Sequence, residues 1–212
     1  MPNKVFTLFA GVNGAGKSTL YDNLDLPNLG IRINSDEIAK GLGDFNSRKI
    51  QIQAGRIAVK QIKQCIVDGI CFNQETTLAG KWMLKQLELL KANGYYINLH
   101  YIGLESVTLA ISRVIQRVRE GGHNVPVELI KKRFVDSRNN LVLCLDYIDS
   151  ITLYDNSGNF RRICLKYSDN KMLFLANNMP EWCKPVLVKL NGCNKLNTFY
   201  ENQHFCNLHL EN

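Results

Sequence analysis

The sequence of 212 residues has no apolar stretch long enough to cross a bilayer, which excludes a transmembrane helix. Residues 1 to 4 lead directly into an apolar run, so we expect no signal peptide and a cytoplasmic protein. The seven cysteines are irregularly spaced and include no C-x-x-C pair, which predicts reduced, mostly buried thiols rather than a zinc site or a disulfide framework. No internal repeat is visible, so one α/β domain is expected.

Positive charge exceeds negative charge, with 26 Lys and Arg residues against 19 Asp and Glu residues and a formal net charge of +7. Such a balance is typical of nucleic-acid binding, or of a site for an anionic nucleotide and an anionic co-substrate. The basic residues are spread along the chain, and few aromatic residues alternate with them. This pattern favours the small anionic ligands over nucleic acid.

The most informative segment is GVNGAGKS at residues 11 to 18, which fits the phosphate-binding pattern G-x-x-x-x-G-K-[ST]. An apolar run at residues 5 to 10 precedes it and a plausible helix follows it, so strand, loop and helix come in the required order. Glycines let several backbone N–H groups point at one polyphosphate. In such a loop Lys17 reaches the β- and γ-phosphates, and the Ser18 hydroxyl binds Mg²⁺. The predicted nucleotide-binding residues are Gly11, Asn13, Gly14, Ala15, Gly16, Lys17, Ser18 and Thr19.

Strand-like and helix-like segments alternate along the chain, which predicts an α/β fold with a mostly parallel sheet. Further strands are expected at residues 31–34, 71–75, 96–102 and 150–154, and a C-terminal β-hairpin at residues 161–167 and 171–175. Helices are expected at residues 50–68, 80–93 and 105–120 and after Pro126. We expect residues 1–190 to form the domain and residues 191–212 to form a polar tail.

Phosphoryl transfer also needs a carboxylate that orients or deprotonates the acceptor hydroxyl. Asp36 follows the second predicted strand, at the edge where ligands bind in such sheets, and is the candidate base. The segment Ser35-Asp36-Glu37 is equally a good helix start, which makes helix capping the alternative. Glu75 ends the third strand on the same edge and could hold the acceptor's hydroxyls or orient metal-bound water. Thr77 could bind substrate or support the turn.

Positive charge beyond the γ-phosphate is the other requirement of phosphoryl transfer. Arg113 and Arg117 lie four residues apart on a predicted helix, away from its apolar stripe, so they can point together into a cleft. A solvated helix face is the alternative for both. His123 follows two glycines and could supply a mobile cation near phosphate, or be merely exposed.

Several segments together resemble the zeta-toxin-like P-loop kinases, in particular the compact bacterial branch of that family. Besides the phosphate loop, the matching segments are NSDEIAKGL at 34–42, QETTL at 74–78, residues 113–126, and YDNSG at 154–158. They span roughly residues 3 to 160. The resemblance implies a three-layer, nucleoside-kinase-like fold that uses ATP and Mg²⁺. It also implies a sugar-nucleotide acceptor, UDP-N-acetylglucosamine in the better-known toxins, and a small antitoxin as partner.

The resemblance assigns roles to residues of this chain. Lys17 and Ser18 would bind phosphate and metal, and Asp36 would be the base. Glu75 and Thr77 would hold the sugar nucleotide, and Arg113 or Arg117 would clamp the phosphates. Larger toxins have a second lid arginine where this chain has His123, and Arg119 or Arg133 could compensate for that difference.

The sequence therefore predicts a kinase that transfers the γ-phosphate of ATP to a hydroxyl of a UDP-sugar. Two alternatives stay open: a nucleotide-dependent binding module with little turnover, and an enzyme acting on nucleic-acid ends. The predicted catalytic residues are Lys17, Asp36, Arg113 and Arg117, and the predicted substrate-binding residues are Asp36, Glu75, Thr77 and His123.

Overall fold

The structure is a computed structural model that describes residues 3–24, 29–44, 47–122 and 124–192. Strands and helices alternate through most of this part of the chain. The strands are β1 (Val5–Ala10), β2 (Ile31–Ile33), β3 (Phe72–Thr76), β4 (Tyr96–Gly103), β5 (Ser150–Asp155), β6 (Arg162–Ser168) and β7 (Lys171–Leu175). The helices are α1 (Lys17–Asp22), α2 (Ser35–Leu42), α3 (Arg48–Asp68), α4 (Trp82–Ala92), α5 (Val107–Arg119), α6 (Val127–Cys144) and α7 (Lys184–Gly192). Short 3-10 helices occupy Leu145–Tyr147 and Glu181–Cys183.

The strands form one sheet with the order β2-β3-β1-β4-β5-β6-β7. The first five of these pair in parallel, and β6 and β7 add an antiparallel hairpin. The predicted fold class, with its C-terminal hairpin, is confirmed. Strand β1 lies between β3 and β4, so the chain reverses its direction of travel across the sheet there. Ligands bind in the crevice outside the carboxyl ends of parallel strands at such a point.

Helices cover both faces of the sheet. Alternate residues of the central strand face opposite sides, and apolar side chains on each side pack against those helices. Phe6 and Leu8 of β1 pack in a large core with α3, α4 and α7. Phe9 packs on the other side with α1 and α5. The five described cysteines carry free thiols, and all but Cys71 are buried, as predicted. Within the described residues no helix is both long and apolar enough to span a membrane.

Helix α7 was not predicted, and it ends at Gly192, two residues past the expected end of the domain. Its buried Val186 and Leu190 lie four residues apart, which is the spacing of one helix face. Trp182, in the 3-10 helix just before it, packs so tightly on Gly103 that a Cβ there would lie 2.2 Å from the indole ring. The predicted tail lies outside the described residues from position 193 onward.

A buried imidazole lies in the core behind the phosphate loop. The His100 ring stacks between Phe9 and Tyr154, with centroid distances of 5.3 and 5.9 Å. Its Nε2 lies 3.1 Å from Nδ2 of Asn98, and its Nδ1 lies 3.0 Å from the Tyr154 hydroxyl. Since an amide nitrogen only donates, Nε2 is the acceptor and Nδ1 carries the proton of a neutral ring. Burial lowers the pKa of His100 to about 4.

This burial predicts a loss of stability in mild acid. The unfolded chain has a histidine pKa near 6.5, roughly 2.5 units above that of the folded protein, so it takes up the proton first as pH falls. The contribution of neutral His100 to the free energy of unfolding is complete above pH ~6.5 and is lost as pH falls toward 4. We expect the free energy of unfolding to drop by about 2 kcal/mol between pH 7 and pH 5 from this residue. Urea unfolding of the wild type and of His100→Gln measures it, and equal pH dependence of the two proteins would contradict it.

Candidate active site

The phosphate loop joins β1 to α1 and takes a shape that only glycine permits. Gly11 has φ 144°, and a Cβ there would lie 2.3 Å from the carbonyl oxygen of Ile102. Gly16 has φ 93°, and a Cβ there would lie 2.8 Å from Nδ2 of Asn156. Both values of φ are in the region that L side chains rarely adopt. The loop therefore keeps an open cradle directly at the carboxyl end of the central strand.

The segment after β5 holds this loop from behind. Asn156 donates from Nδ2 to the carbonyl oxygen of Ala15 at 2.9 Å, and its own N–H donates to the carbonyl oxygen of Gly103 at 3.1 Å. Asp155 is buried, accepts a hydrogen bond from Ser157 and forms an ion pair with Arg162 at 3.2 Å. In the sequence, YDNSG at residues 154–158 was notable only because it resembles a family segment. The structure gives its physical role, which is to fix the position of the loop.

Two loop residues face the edge of the sheet where β3 ends. The Ser18 hydroxyl donates to the Glu75 carboxylate, at 2.9 Å from Oε1 and 3.1 Å from Oε2. Lys17 donates from Nζ to the carbonyl oxygen of Val12 at 3.2 Å. Burial lowers the pKa of Lys17 to about 8, against the attraction of Glu75 and Asp36 and with the repulsion of Arg117 and Arg133. The positive charges around Lys17 make it a poor place for a lone cation and a good place for an anion.

Asp36 lies in the first turn of α2, but Asn34 does the capping there. Oδ1 of Asn34 accepts from the backbone N–H of Asp36 at 2.9 Å, so the cap is one residue earlier than Ser35. The segment Ser35-Asp36-Glu37 does begin a helix, but the residue before it provides the cap. The Asp36 side chain lines the cavity beside the loop. Asp36 therefore faces the cavity and does not supply the side-chain cap of α2.

That cavity has a volume of about 500 Å³ and lies at the carboxyl edge of the parallel strands. It brings together most of the residues that the sequence singled out for chemistry. Its walls include Asn13, Lys17, Ser18, Asp36, Glu75, Thr77 and Arg117. Gly11, Gly14, Ala15 and Gly16 form the loop beside it, and Thr19 follows on the exposed side of α1. His123 lies outside the described residues.

Arg117 and Arg133 are the two arginines that reach the cavity from the helices above it. Arg133, on α6, donates to Oδ1 of Asn13 in the phosphate loop at 3.1 Å. Burial lowers the pKa of Arg133, and the nearby Asp36 opposes that shift. Arg113 is not among the residues that line the cavity, and its Cβ lies beside Gly14. The geometry therefore pairs Arg117 with Arg133 rather than with Arg113.

Arg32 was missed by the sequence reasoning, although it joins several of these groups. It forms ion pairs with Glu37 at 2.8 Å, with Glu75 at 3.5 Å and with Asp22 at 3.6 Å. Its guanidinium also lies 3.8 Å from the centre of the Tyr21 ring. The signal available in the sequence was a charged residue between two isoleucines in a three-residue strand. Arg32 holds Glu75 in place next to Ser18.

The Ser18 hydroxyl and the Glu75 carboxylate fit the needs of Mg²⁺. This ion is usually held by one or two protein oxygens, with phosphate and water oxygens completing its coordination. Among the described residues there is no cluster of three or more His, Cys, Asp or Glu that would hold a metal by itself. The donor set therefore suits a cation that arrives with a nucleotide.

A mostly parallel sheet with a G-x-x-x-x-G-K-S loop after its central strand defines a P-loop protein. The sequence profile of the Zeta toxin family matches residues 2–179. The chain belongs to this family of P-loop kinases. An uncharacterised protein of Haemophilus influenzae is 37% identical over 135 residues, which are 63% of this chain and 94% of that protein.

Solved structures show the same fold. A chain of the AvrRxo1-ORF1:-ORF2 complex with ATP aligns with a TM-score of 0.63 and 14% identity over 78% of this chain. A chain of the PezAT toxin–antitoxin system of Streptococcus pneumoniae aligns with a TM-score of 0.54 and 19% identity, over 74% of this chain and 70% of its own length. This chain covers only 59% of the matched AvrRxo1 chain.

The clamp on the phosphate loop gives a prediction for Asn156→Ala. The variant loses the hydrogen bond to Ala15, which is worth about 1 kcal/mol, so the loop is less well ordered before it binds an anion. We expect inorganic tripolyphosphate to bind about fivefold more weakly, with the fold retained. Calorimetric titration measures the affinity, and circular dichroism checks the fold. Asn159→Ala, in the same connection but exposed, is the matched control, and an equal loss in both variants would refute the clamp.

Proposed function

We propose that this protein is an ATP-dependent kinase that transfers the γ-phosphate of ATP to a hydroxyl of a sugar nucleotide, UDP-N-acetylglucosamine or a related UDP-sugar. One observation carries the proposal. The Asp36 carboxylate shares a single cavity with Lys17 of the phosphate loop and with Arg117 and Arg133 from the helices above. Membership of the zeta toxin family supports the same reaction class.

The donor half of the cavity is the phosphate loop and its cations. The loop amides and Lys17 bind the β- and γ-phosphates of ATP, and Arg117 and Arg133 face the group that moves. Ser18 and Glu75 would hold Mg²⁺, which neutralises phosphate charge when bound. Because Lys17, Arg117 and Arg133 are already gathered in the folded protein, little reorganisation is needed when charge develops on the transferred group.

The acceptor half is formed by the ends of β2 and β3. Asp36 accepts the proton of the acceptor hydroxyl as that oxygen forms its bond to the γ-phosphorus. The bond from the γ-phosphorus to the bridging oxygen breaks, and ADP leaves with its electron pair. Asn34 and Thr77 line the same wall and offer uncharged hydrogen-bonding groups that suit sugar hydroxyls.

The acceptor and the partner rest on the family resemblance more than on geometry. A UDP-sugar is consistent with the formal charge of +7, which favours anionic ligands. One matched structure contains AvrRxo1-ORF1 together with -ORF2, and another comes from the PezAT toxin–antitoxin system. A small antitoxin-like protein is therefore the partner we propose for this chain.

The base assignment predicts the behaviour of Asp36→Asn. The amide cannot accept the proton, so we expect the rate of UDP-sugar phosphorylation to fall by at least about 100-fold. ATP binding should change little, since the phosphate loop is intact. Mass spectrometry of products from ATP and a panel of UDP-sugars measures the rate, and titration with a non-hydrolysable ATP analogue measures binding.

Glu128→Gln, which neutralises an exposed carboxylate on α6, is the control and should keep full activity. Full activity of Asp36→Asn would show that another group takes the proton. Tight ATP binding without any phosphorylated product in the wild type would favour a nucleotide-dependent binding module.

The positions of three arginines relative to the cavity predict how strongly replacing each of them lowers kcat. Arg117→Ala and Arg133→Ala each remove positive charge from the cavity, so we expect kcat to fall by about 100-fold in each. Arg113→Ala leaves the cavity lining intact and should lower kcat less than about threefold. Steady-state kinetics with the same acceptor measure all three. A loss in Arg113→Ala as large as that in Arg117→Ala would contradict the order.

A further inference from the structure

The outer face of α3 carries an apolar depression that the proposed reaction does not use. Ile52 and Val59 of this helix are 49% and 36% exposed, and Trp82 at the start of α4 is 46% exposed. Together with Gly55 and Arg56 they line a depression of about 470 Å³. It shares no lining residue with the cavity at the phosphate loop.

Gly55 is a residue that the fold does not require. It lies in the interior of a 21-residue helix, where glycine costs about 1 kcal/mol relative to alanine. A Cβ at this position would meet nothing within 4 Å, whereas at Gly103 it would collide with Trp182. Packing therefore explains Gly103 and leaves Gly55 unexplained. What Gly55 provides is a notch between the side chains of Ile52 and Val59.

Positive charge surrounds this notch. Helix α3 contains five basic residues and one acidic residue, Asp68, which accepts hydrogen bonds from Gln64 at the far end of the helix. The basic residues are Arg48, Lys49, Arg56, Lys60 and Lys63. In the part of the chain that the structure describes, no ion pair joins any of the five to a carboxylate. A second depression, lined by Arg48, Lys49, Ile52, Gln53 and Arg56, continues the first toward the start of the helix.

We propose that this surface binds an acidic amphipathic helix of a partner protein. The surface is formed by Arg48, Ile52, Gly55, Arg56, Val59 and Trp82. Apolar side chains of such a helix fill the depression, and the notch at Gly55 lets its backbone come close. Its carboxylates then meet the basic residues on both sides. An exposed tryptophan next to an arginine is a frequent centre of a protein interface.

Charge and shape favour this occupant over two others. A second copy of the chain would bring the same formal charge of +7 to the contact. A nucleic acid would meet the basic residues, but it has no apolar side chain for the depression. Among the residues that the structure describes, Trp82 is the one aromatic side chain lining it. The proposal is independent of catalysis, so its test stands whether or not the chain phosphorylates a UDP-sugar.

The test uses the full chain and a synthetic acidic peptide of about six helical turns, with leucines at alternating spacings of three and four and glutamates between them. Two companion peptides have lysine in place of each glutamate, or the same composition in scrambled order. An oligothymidylate is the nucleic-acid probe. Trp182 is buried, so a change in tryptophan fluorescence on titration reports on Trp82. Light scattering over a range of protein concentrations measures self-association.

We expect the acidic peptide to bind at least tenfold more tightly than either companion peptide. Gly55→Gln fills the notch with a better helix former, so it should weaken binding at least tenfold without loss of fold. Arg56→Glu should do the same by reversing charge. Gly41→Gln is the matched control, because Gly41 is also a helical glycine whose Cβ would meet nothing within 4 Å, and it should change binding less than twofold.

Four results would overturn the proposal. The first is equal binding of the acidic and lysine peptides, and the second is peptide binding that Gly55→Gln leaves unchanged. The third is tight oligothymidylate binding that Arg56→Glu removes while the acidic peptide does not bind, which assigns the surface to nucleic acid. The fourth is a dimer of the wild type that Gly55→Gln dissociates, which assigns it to a second copy.

Discussion

The approach of the phosphate loop to the backbone at the end of β4 is the constraint on which the site depends. The Ile102 carbonyl leaves no space for a side chain at Gly11, and Asn156 leaves none at Gly16. These two contacts set where the loop turns, and therefore where Lys17 and Ser18 emerge. The core below it is correspondingly dense, with Phe9, His100 and Tyr154 stacked in one layer.

The cavity has an uneven distribution of charge, with basic side chains gathered around the phosphate loop. Lys17, Arg117 and Arg133 are gathered around the loop at the expense of mutual repulsion, which contributes to the depressed pKa of Lys17. Glu75 and Asp36 offset that repulsion. An arriving triphosphate supplies the negative charge that the protein itself lacks there. Binding of such an anion would therefore also stabilise the folded site.

Much of the fold and part of the cavity could be predicted from the sequence, because the patterns that predict them lie within short segments of the chain. The apolar run at residues 5–10 predicts both ends of β1 correctly, and α3 ends at Asp68 as predicted, with Gly69 in the left-handed conformation after it. The loop, Asp36 and Glu75 were found because motif and strand end coincide. Arg133 and Arg32 were harder, since their roles depend on which helix and strand fold over the loop. The roles of Asn156 and Gly55 depend on contacts, or on the lack of them, that no periodicity reports.

The difference in attachment of β2 and β1 has a mechanical consequence. Strand β2 has three residues and pairs with β3 along one side, whereas β1 is held by six-residue and five-residue ladders on its two sides. Asp36 and Arg32 travel with β2 and α2, and Lys17 and Ser18 stay with β1. The acceptor side of the proposed reaction is thus attached to the sheet along one edge of a short strand, whereas the donor side is held on both edges of β1. In the proposed reaction the nucleotide would therefore rest on the firmly anchored strand, and the second substrate would meet the more weakly anchored one.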